Sequence, residues 1–481
     1  MLPLWNVGMS VAMFFLLFVS IVSAFEKKKF HFLPVFKNPI YLCFLTIWGL
    51  ILFGLLRGGE SNHVWKEVKT LLPLIFAPVF LQNLNPITKK DEVLIWRVFL
   101  GAVGISALVC VLYAIAKYPL PEPRSASLFI SHIRFSLMAV LALIGAWRIP
   151  DILPWNLKVI LTALVFLFFF FVGTLTGWGF LILLVLFLFA SKSKRNAFVV
   201  VGSAAVAVGI LFFSLSKTAR SVSFQTELVQ SANGEKYVHQ SANTQTENGN
   251  KIFINIAPIE LDSAWSARTG GSMLQKDARG QLIQTTLIRY LTSKGLTKDA
   301  AGIEQLSDDD IKNIQSGYTN CNEPKWNALE KRWHQLAFEY QTFQSGENPS
   351  GHSVFQRLEY YKVATFIIEK NAILGVGQGR VKEAYHKAYE RISPNLDEKV
   401  QHAVHNQFLS YWISSGTFAL IAFILYFVFM WKQARTSAIA LSFVVLASLS
   451  CLTEDTLTTQ PGVAFFAFFS TFFFFLPKQE N

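Results

Sequence analysis

Cysteine is scarce in this chain, with four in 481 residues. Cys43, Cys110 and Cys451 fall in long apolar runs, which leaves Cys321 alone in the polar part of the sequence. An intradomain disulfide is therefore excluded there, and no Cys/His spacing resembles a zinc site. Nucleotide-binding loops are missing as well. The glycine-rich run Gly375-Val-Gly377-Gln-Gly379 lacks the Lys-Ser/Thr of a phosphate loop and a strand before it, so it reads as flexibility at a turn. No compact Lys/Arg cluster is interleaved with aromatics, so the net charge of +12 does not call for nucleic acid. The first apolar run has neither a basic segment before it nor an Ala-x-Ala site after it, which argues against a cleavable signal peptide. Internal repeats and low-complexity tracts are also missing.

Apolar residues, by contrast, are abundant. Hydrophobic side chains make up 52% of the chain, 45 of them Phe, and the mean hydropathy is +0.38. Runs approaching the ~20 residues needed to cross a bilayer recur along both ends. Candidate spans cover roughly 5–24, 38–56, 67–82, 93–116, 128–147, 156–172, 173–190, 197–215, 406–430, 436–453 and 461–477. The expected fold is an all-α polytopic membrane protein with about 11 transmembrane helices. Its expected parts are an N-terminal membrane region (1–215), a large, mainly helical loop (216–405) and a C-terminal membrane region (406–481).

Basic residues orient the chain, because Lys and Arg concentrate in cytoplasmic loops. Lys27, Lys28, Lys29 and Lys37 follow the first span, Lys89 and Lys90 the third, Lys192, Lys194 and Arg195 the seventh, and Lys432 and Arg435 the ninth. These alternate loops are expected in the cytoplasm together with the C-terminus, and the large loop on the opposite face. Eleven spans then put the N-terminus outside, so a twelfth, N-terminal helix is expected in the full-length form.

Within the loop, 221–256 reads as turns or a short hairpin. A helical pattern begins near Lys276, with Leu282, Leu287, Tyr290 and Leu291 at near-helical spacing. Ser307-Asp-Asp-Asp310 has the form of a capping box, its acids complementing a helix dipole. Further helices are expected over 325–343, 353–371 and 382–391.

His405 is the leading candidate for chemistry. It stands beside Asn406 where the polar loop meets an apolar run, and an imidazole can take a proton from a hydroxyl near neutral pH. A helix-end anchor is the plain alternative, and His402 is a competitor about one turn away. Arg357, near the start of an amphipathic helix, could grip phosphate oxygens or pair with a nearby acid. Arg220 could meet a phosphate at the bilayer surface or simply snorkel. His132 and Arg134 lie near the outer end of a span, where ionisable groups are functional suspects or interfacial anchors. Arg268 and Arg289 read as surface charge, and Arg97 as a snorkelling group.

Arg357-Leu-Glu-Tyr-Tyr, then Gly375-Val-Gly377-Gln-Gly379, then His405-Asn406 followed by Gly416 resemble the O-antigen ligase family, multi-spanning bacterial glycosyltransferases of the GT-C type. Residues 287–299 are similar to a loop segment of Bacteroidetes-type members. Two departures stand out: Thr176-Gly177-Trp178-Gly179 where many members carry Ser-Arg-Gly, and Tyr361 where many have Trp. The resemblance implies transfer of a glycan from undecaprenyl pyrophosphate to a lipid A–core hydroxyl, at the periplasmic face of the bacterial inner membrane. It casts His405 as the base or the group that orients the acceptor, Arg357 as the pyrophosphate ligand with Arg220 as its helper, and Asn406, His402 and Arg134 as supporting residues, with no metal or other cofactor. Glycan polymerisation and protein O-glycosylation are near alternatives. A lipid-linked-glycan transporter is a different class, and it would call for broken, charged spans.

Overall fold

In the computed structural model, the described residues are 34–117, 123–190, 226–344 and 353–477. Positions 242, 244, 327 and 395 are excepted, and short pieces of the first 22 residues and positions 193 and 195 are added. The expected spans 5–24 and 197–215 fall wholly or largely outside them, as does Arg220. The chain divides into two compact units. One comprises Met1–Val200, Tyr360–Ser393 and His402–Asn481, and the other Val201–Glu359 with Pro394–Gln401.

The first unit is a bundle of apolar helices. Its early helices are α1 (Pro39–Phe53), α2 (Ser61–Leu81), α3 (Lys89–Ala116), α4 (His132–Arg148), α5 (Trp155–Val172) and α6 (Leu175–Ala190). Among the described residues, four helical stretches are long and apolar enough to cross a membrane: Pro39–Arg57, Lys89–Ala116, Trp155–Val172 and Gln407–Ala434. Shorter apolar helices cover Thr176–Phe187, Ala438–Thr453 and Gln460–Phe474. Local chemistry sets the ends. Thr88 and Asp91 form a reciprocal capping box at the start of α3. Gly173, with φ of 62°, closes α5, and the Thr174 hydroxyl accepts the Gly177 amide to open α6. The continuous apolar run 161–190 is therefore two helices. Trp96 anchors the core against Phe99, Phe469, Phe472 and Phe473. Arg97 does more than snorkel, because it donates to the carbonyls of Ile152 and Asp151.

The second unit holds the hairpin β1 (Thr246–Glu247) and β2 (Asn250–Lys251), turned by Asn248 and Gly249 at positive φ. Around it stand α7 (Pro258–Thr269), α8 (Ile283–Ser293), α9 (Ala300–Glu304), α10 (Asp308–Gln315) and α11 (Ala328–Gln344). The Ser307–Asp310 capping box opens α10 as its residues imply. The sequence pattern gave no sign of α7, whose Leu261 and Trp265 are fully buried in this unit's own core.

Arg289 corrects an expectation. Its guanidinium pairs with Glu247, whose side chain is 0% exposed, and stacks over the Phe338 ring at 3.7 Å. A helical arginine reads as surface charge when its partner is 42 residues away in sequence.

Candidate active site

Five further helices complete the described residues: α12 (Ser353–Asn371), α13 (Val381–Ile392), α14 (Gln407–Ala434), α15 (Ala438–Thr453) and α16 (Gln460–Phe474). The boundary between the units runs inside α12, between Glu359 and Tyr360.

His405 immediately precedes α14 and has φ of 50°, a left-handed conformation that costs a non-glycine residue about 1 kcal/mol. Neighbours hold the turn. The Tyr385 hydroxyl accepts the Val404 amide at 3.2 Å, and the Tyr389 hydroxyl donates to the His402 carbonyl at 2.6 Å. On the C-terminal side, Asn406 caps α14 by accepting the amides of Phe408 and Leu409.

Three hydrogen bonds then tie the head of α14 to the end of α15 and the segment after it. Asn406 Nδ2 donates to the Leu452 carbonyl at 3.1 Å, Gln407 Oε1 accepts the Leu457 amide at 2.9 Å, and Ser410 Oγ donates to Asp455 Oδ1 at 2.6 Å. The effect is to set two carboxylates, Glu454 and Asp455, beside the histidine. His405 Nδ1 stands 3.5 Å from Glu454 Oε2, with side-chain exposures of 32% and 13%. The Tyr360 ring lies 5.8 Å from His405 and 6.1 Å from His402, and the two imidazoles are 6.0 Å apart.

Charge completes the cluster. Burial lifts the Asp455 carboxyl above the usual carboxylate range, although the Ser410 hydroxyl and nearby His405 pull it down. Arg134 on α4 lies within electrostatic reach of both Glu454 and Asp455, and Glu67 on α2 within reach of Asp455. Arg134 Nε, Gln407 Nε2 and the Tyr411 hydroxyl are buried without a hydrogen-bond partner among the described residues. Buried polar atoms are ordinarily satisfied, so three such atoms close to His405 make this part of the bundle the candidate site.

The glycine-rich run is a second correction. Far from being flexible, it is wedged against a break in α14. Gly416 has φ of 80° and ψ of −171°, and a Cβ there would lie 2.1 Å from the Ile373 carbonyl oxygen. The amides of Val376 and Gly377 donate to the carbonyls of Ile413 and Ser414. The Gly379 carbonyl accepts the Glu60 amide, and Arg57 donates to the Leu374 carbonyl. Glycines are required here because backbone meets backbone. At Gly177, where the family's arginine motif departs, a Cβ would come within 2.7 Å of the Phe169 ring.

Residues 325–424 match the family model described as O-Antigen ligase. Over this stretch the chain is similar to the O-antigen ligase family. No curated protein matches the chain. The O-antigen ligase stretch runs from before α11 into α14 and contains Arg357, His402, His405, Asn406, the glycine wedge and Gly416. Arg134, Glu454 and Asp455 lie outside it, so the fold delivers them to a family-borne histidine. Arg357 is half-buried on α12 and belongs to the other compact unit.

Sequence reasoning missed Glu454, Asp455 and Glu67. One signal was present: Glu454 and Asp455 are the only acidic residues between Asn406 and Pro477.

Proposed function

We propose that the chain transfers a glycan from undecaprenyl pyrophosphate to a sugar hydroxyl of lipid A–core, at the outer face of the bacterial inner membrane, in the manner of an O-antigen ligase. The carrying observation is the His405–Glu454 pair at the head of α14, on a turn strained at His405 and braced by Asn406. In this reading His405 takes the proton of the acceptor hydroxyl as its oxygen attacks the anomeric carbon. The bond from that carbon to pyrophosphate breaks, and the lipid pyrophosphate leaves. Glu454 stabilises the imidazolium that forms, a role a carboxylate fills for a general base. Asn406 and Ser410 keep the two carboxylates in register with the ring, and Arg134 balances their charge. Arg357 and Arg220 are assigned to the pyrophosphate on the family resemblance, since guanidinium forks match phosphate oxygens. Eleven or twelve spans, a periplasmic 216–405 loop and a cytoplasmic C-terminus belong to the same reading.

The test is gene deletion followed by complementation. If wild type restores the long-chain surface lipopolysaccharide ladder and His405→Ala does not, while lipid-linked glycan of normal length accumulates, the ligase reading holds. Survival of the ladder with loss of glycosylated protein would move the acceptor to protein. Lipid-linked glycan of a single repeat, accumulating in the deletion, would point to polymerisation instead.

A further inference from the structure

The polar unit contains a cleft of about 910 Å³ for which the transfer chemistry has no task. Its volume falls in the range of small-ligand sites. The walls come from the hairpin region, α8 and α11, all within that one unit.

Two features of the lining stand out. Carboxamides recur in it: Gln240, Gln245, Gln281, Gln284 and Gln335. Each can both donate and accept, as a sugar hydroxyl does. An aromatic ring accompanies them, Trp326, which packs against the His334 ring at 4.6 Å, while Phe338 in the same wall is stacked under Arg289. A pyranose has one apolar C–H face, which a flat aromatic ring covers well.

The cations of the wall are already engaged. Arg279 Nη1 donates to Glu323 at 2.7 Å, Arg289 is paired with Glu247, and His334 Nε2 lies 2.9 Å from Glu247. Lys331 lies over the Tyr318 ring at 5.6 Å. An anionic ligand would have to compete with Glu323 and Glu247 for the two arginines and His334. A neutral, polyhydroxylated ligand has no such competition.

We propose that this cleft binds glycan, taking a few neutral sugar residues of a chain that the enzyme handles. The identity of the glycan rests on the glycosyl-transfer reading, whereas the preference for neutral sugar rests on the cleft alone. Such a site would grip the polymer away from its reacting end and supply binding energy without touching the anomeric carbon.

Calorimetric titration of the full-length, detergent-purified protein tests this with two probes. One is oligosaccharide released by mild acid from the host's lipid-linked glycan, and the other is delipidated core oligosaccharide. Wild type and His405→Ala are expected to bind one probe equally well. Trp326→Ala should weaken that binding at least tenfold and Gln284→Ala severalfold. The probe that binds assigns the cleft to donor or acceptor. Failure of both probes to bind wild type overturns the proposal, as does binding by both variants at wild-type strength. If Trp326→Ala loses its thermal transition, Gln284→Ala decides. Transfer that survives in His405→Ala would sink the catalytic reading while leaving these binding results standing.

Discussion

Glu247 and Glu454 are both carboxylates drawn away from water, one in each compact unit, and their surroundings differ in kind. Glu247 is completely buried and completely answered: Arg289, His334 and Asn320 all contact it. Burial by itself would raise its carboxyl, but Arg289 and His334 outweigh that and hold it below the usual range. Glu454 instead faces a half-exposed histidine at 3.5 Å, longer than a normal hydrogen bond, next to the buried Asp455 carboxyl. A buried, charge-paired network such as that of Glu247 holds a fold together. The imidazole beside Glu454 stands where solvent, and so a substrate, can reach it. The lesson is that the access of the partner, more than the burial of the carboxylate, separates the two surroundings.

The largest effect is expected where the closed network is opened. Glu247→Ala strands Arg289 and His334, which should cost about 3–5 kcal/mol. Calorimetry should show unfolding lowered by roughly 10 °C. A loss under about 1 kcal/mol would mean that the network is not structural. Gly416→Ala comes next, because only glycine suits that backbone and a Cβ would strike the Ile373 carbonyl. A loss of about 2–3 kcal/mol is expected by thermal melting in detergent, whereas Gly49→Ala, with open space around it, should melt as wild type does.

A third test uses pH. Lys294, Tyr290 and Ser307 overcome the burial of Asp310 and hold its carboxyl at about 2. A depressed carboxyl stabilises the fold above its unfolded pKa, so this contribution, roughly 2 kcal/mol, should vanish as pH falls from about 4 to about 2. Acid unfolding that is unchanged in Asp310→Asn would contradict it. The smallest effect is expected at Glu454. Glu454→Gln should slow transfer about tenfold, roughly 1.4 kcal/mol, with an unchanged melting temperature. A larger fall in stability than in rate would make Glu454 structural like Glu247.

Much of this site was legible because its histidine and asparagine sit together at the start of α14. His405 and Asn406 are neighbours, and the capping chemistry of Asn406 is local. Glu454 and Asp455 were not legible, since they sit some 50 residues on, between two apolar runs. Their role emerges only when α15 returns antiparallel to α14 and Asn406 bonds to Leu452. Arg289 misled for the same reason, its partner being distant in sequence. The glycine run was misread because sequence shows freedom at a glycine and hides the backbone pressed against it.

The most direct measurement of the central claim is the single-turnover transfer rate of purified His405→Ala against wild type, with lipid-linked donor and lipid A–core acceptor. A general base contributes about 10²–10⁴-fold. A fall of that size, with the melting temperature unchanged, is the expected result. A rate within about twofold of wild type would contradict the assignment and shift the search to His402.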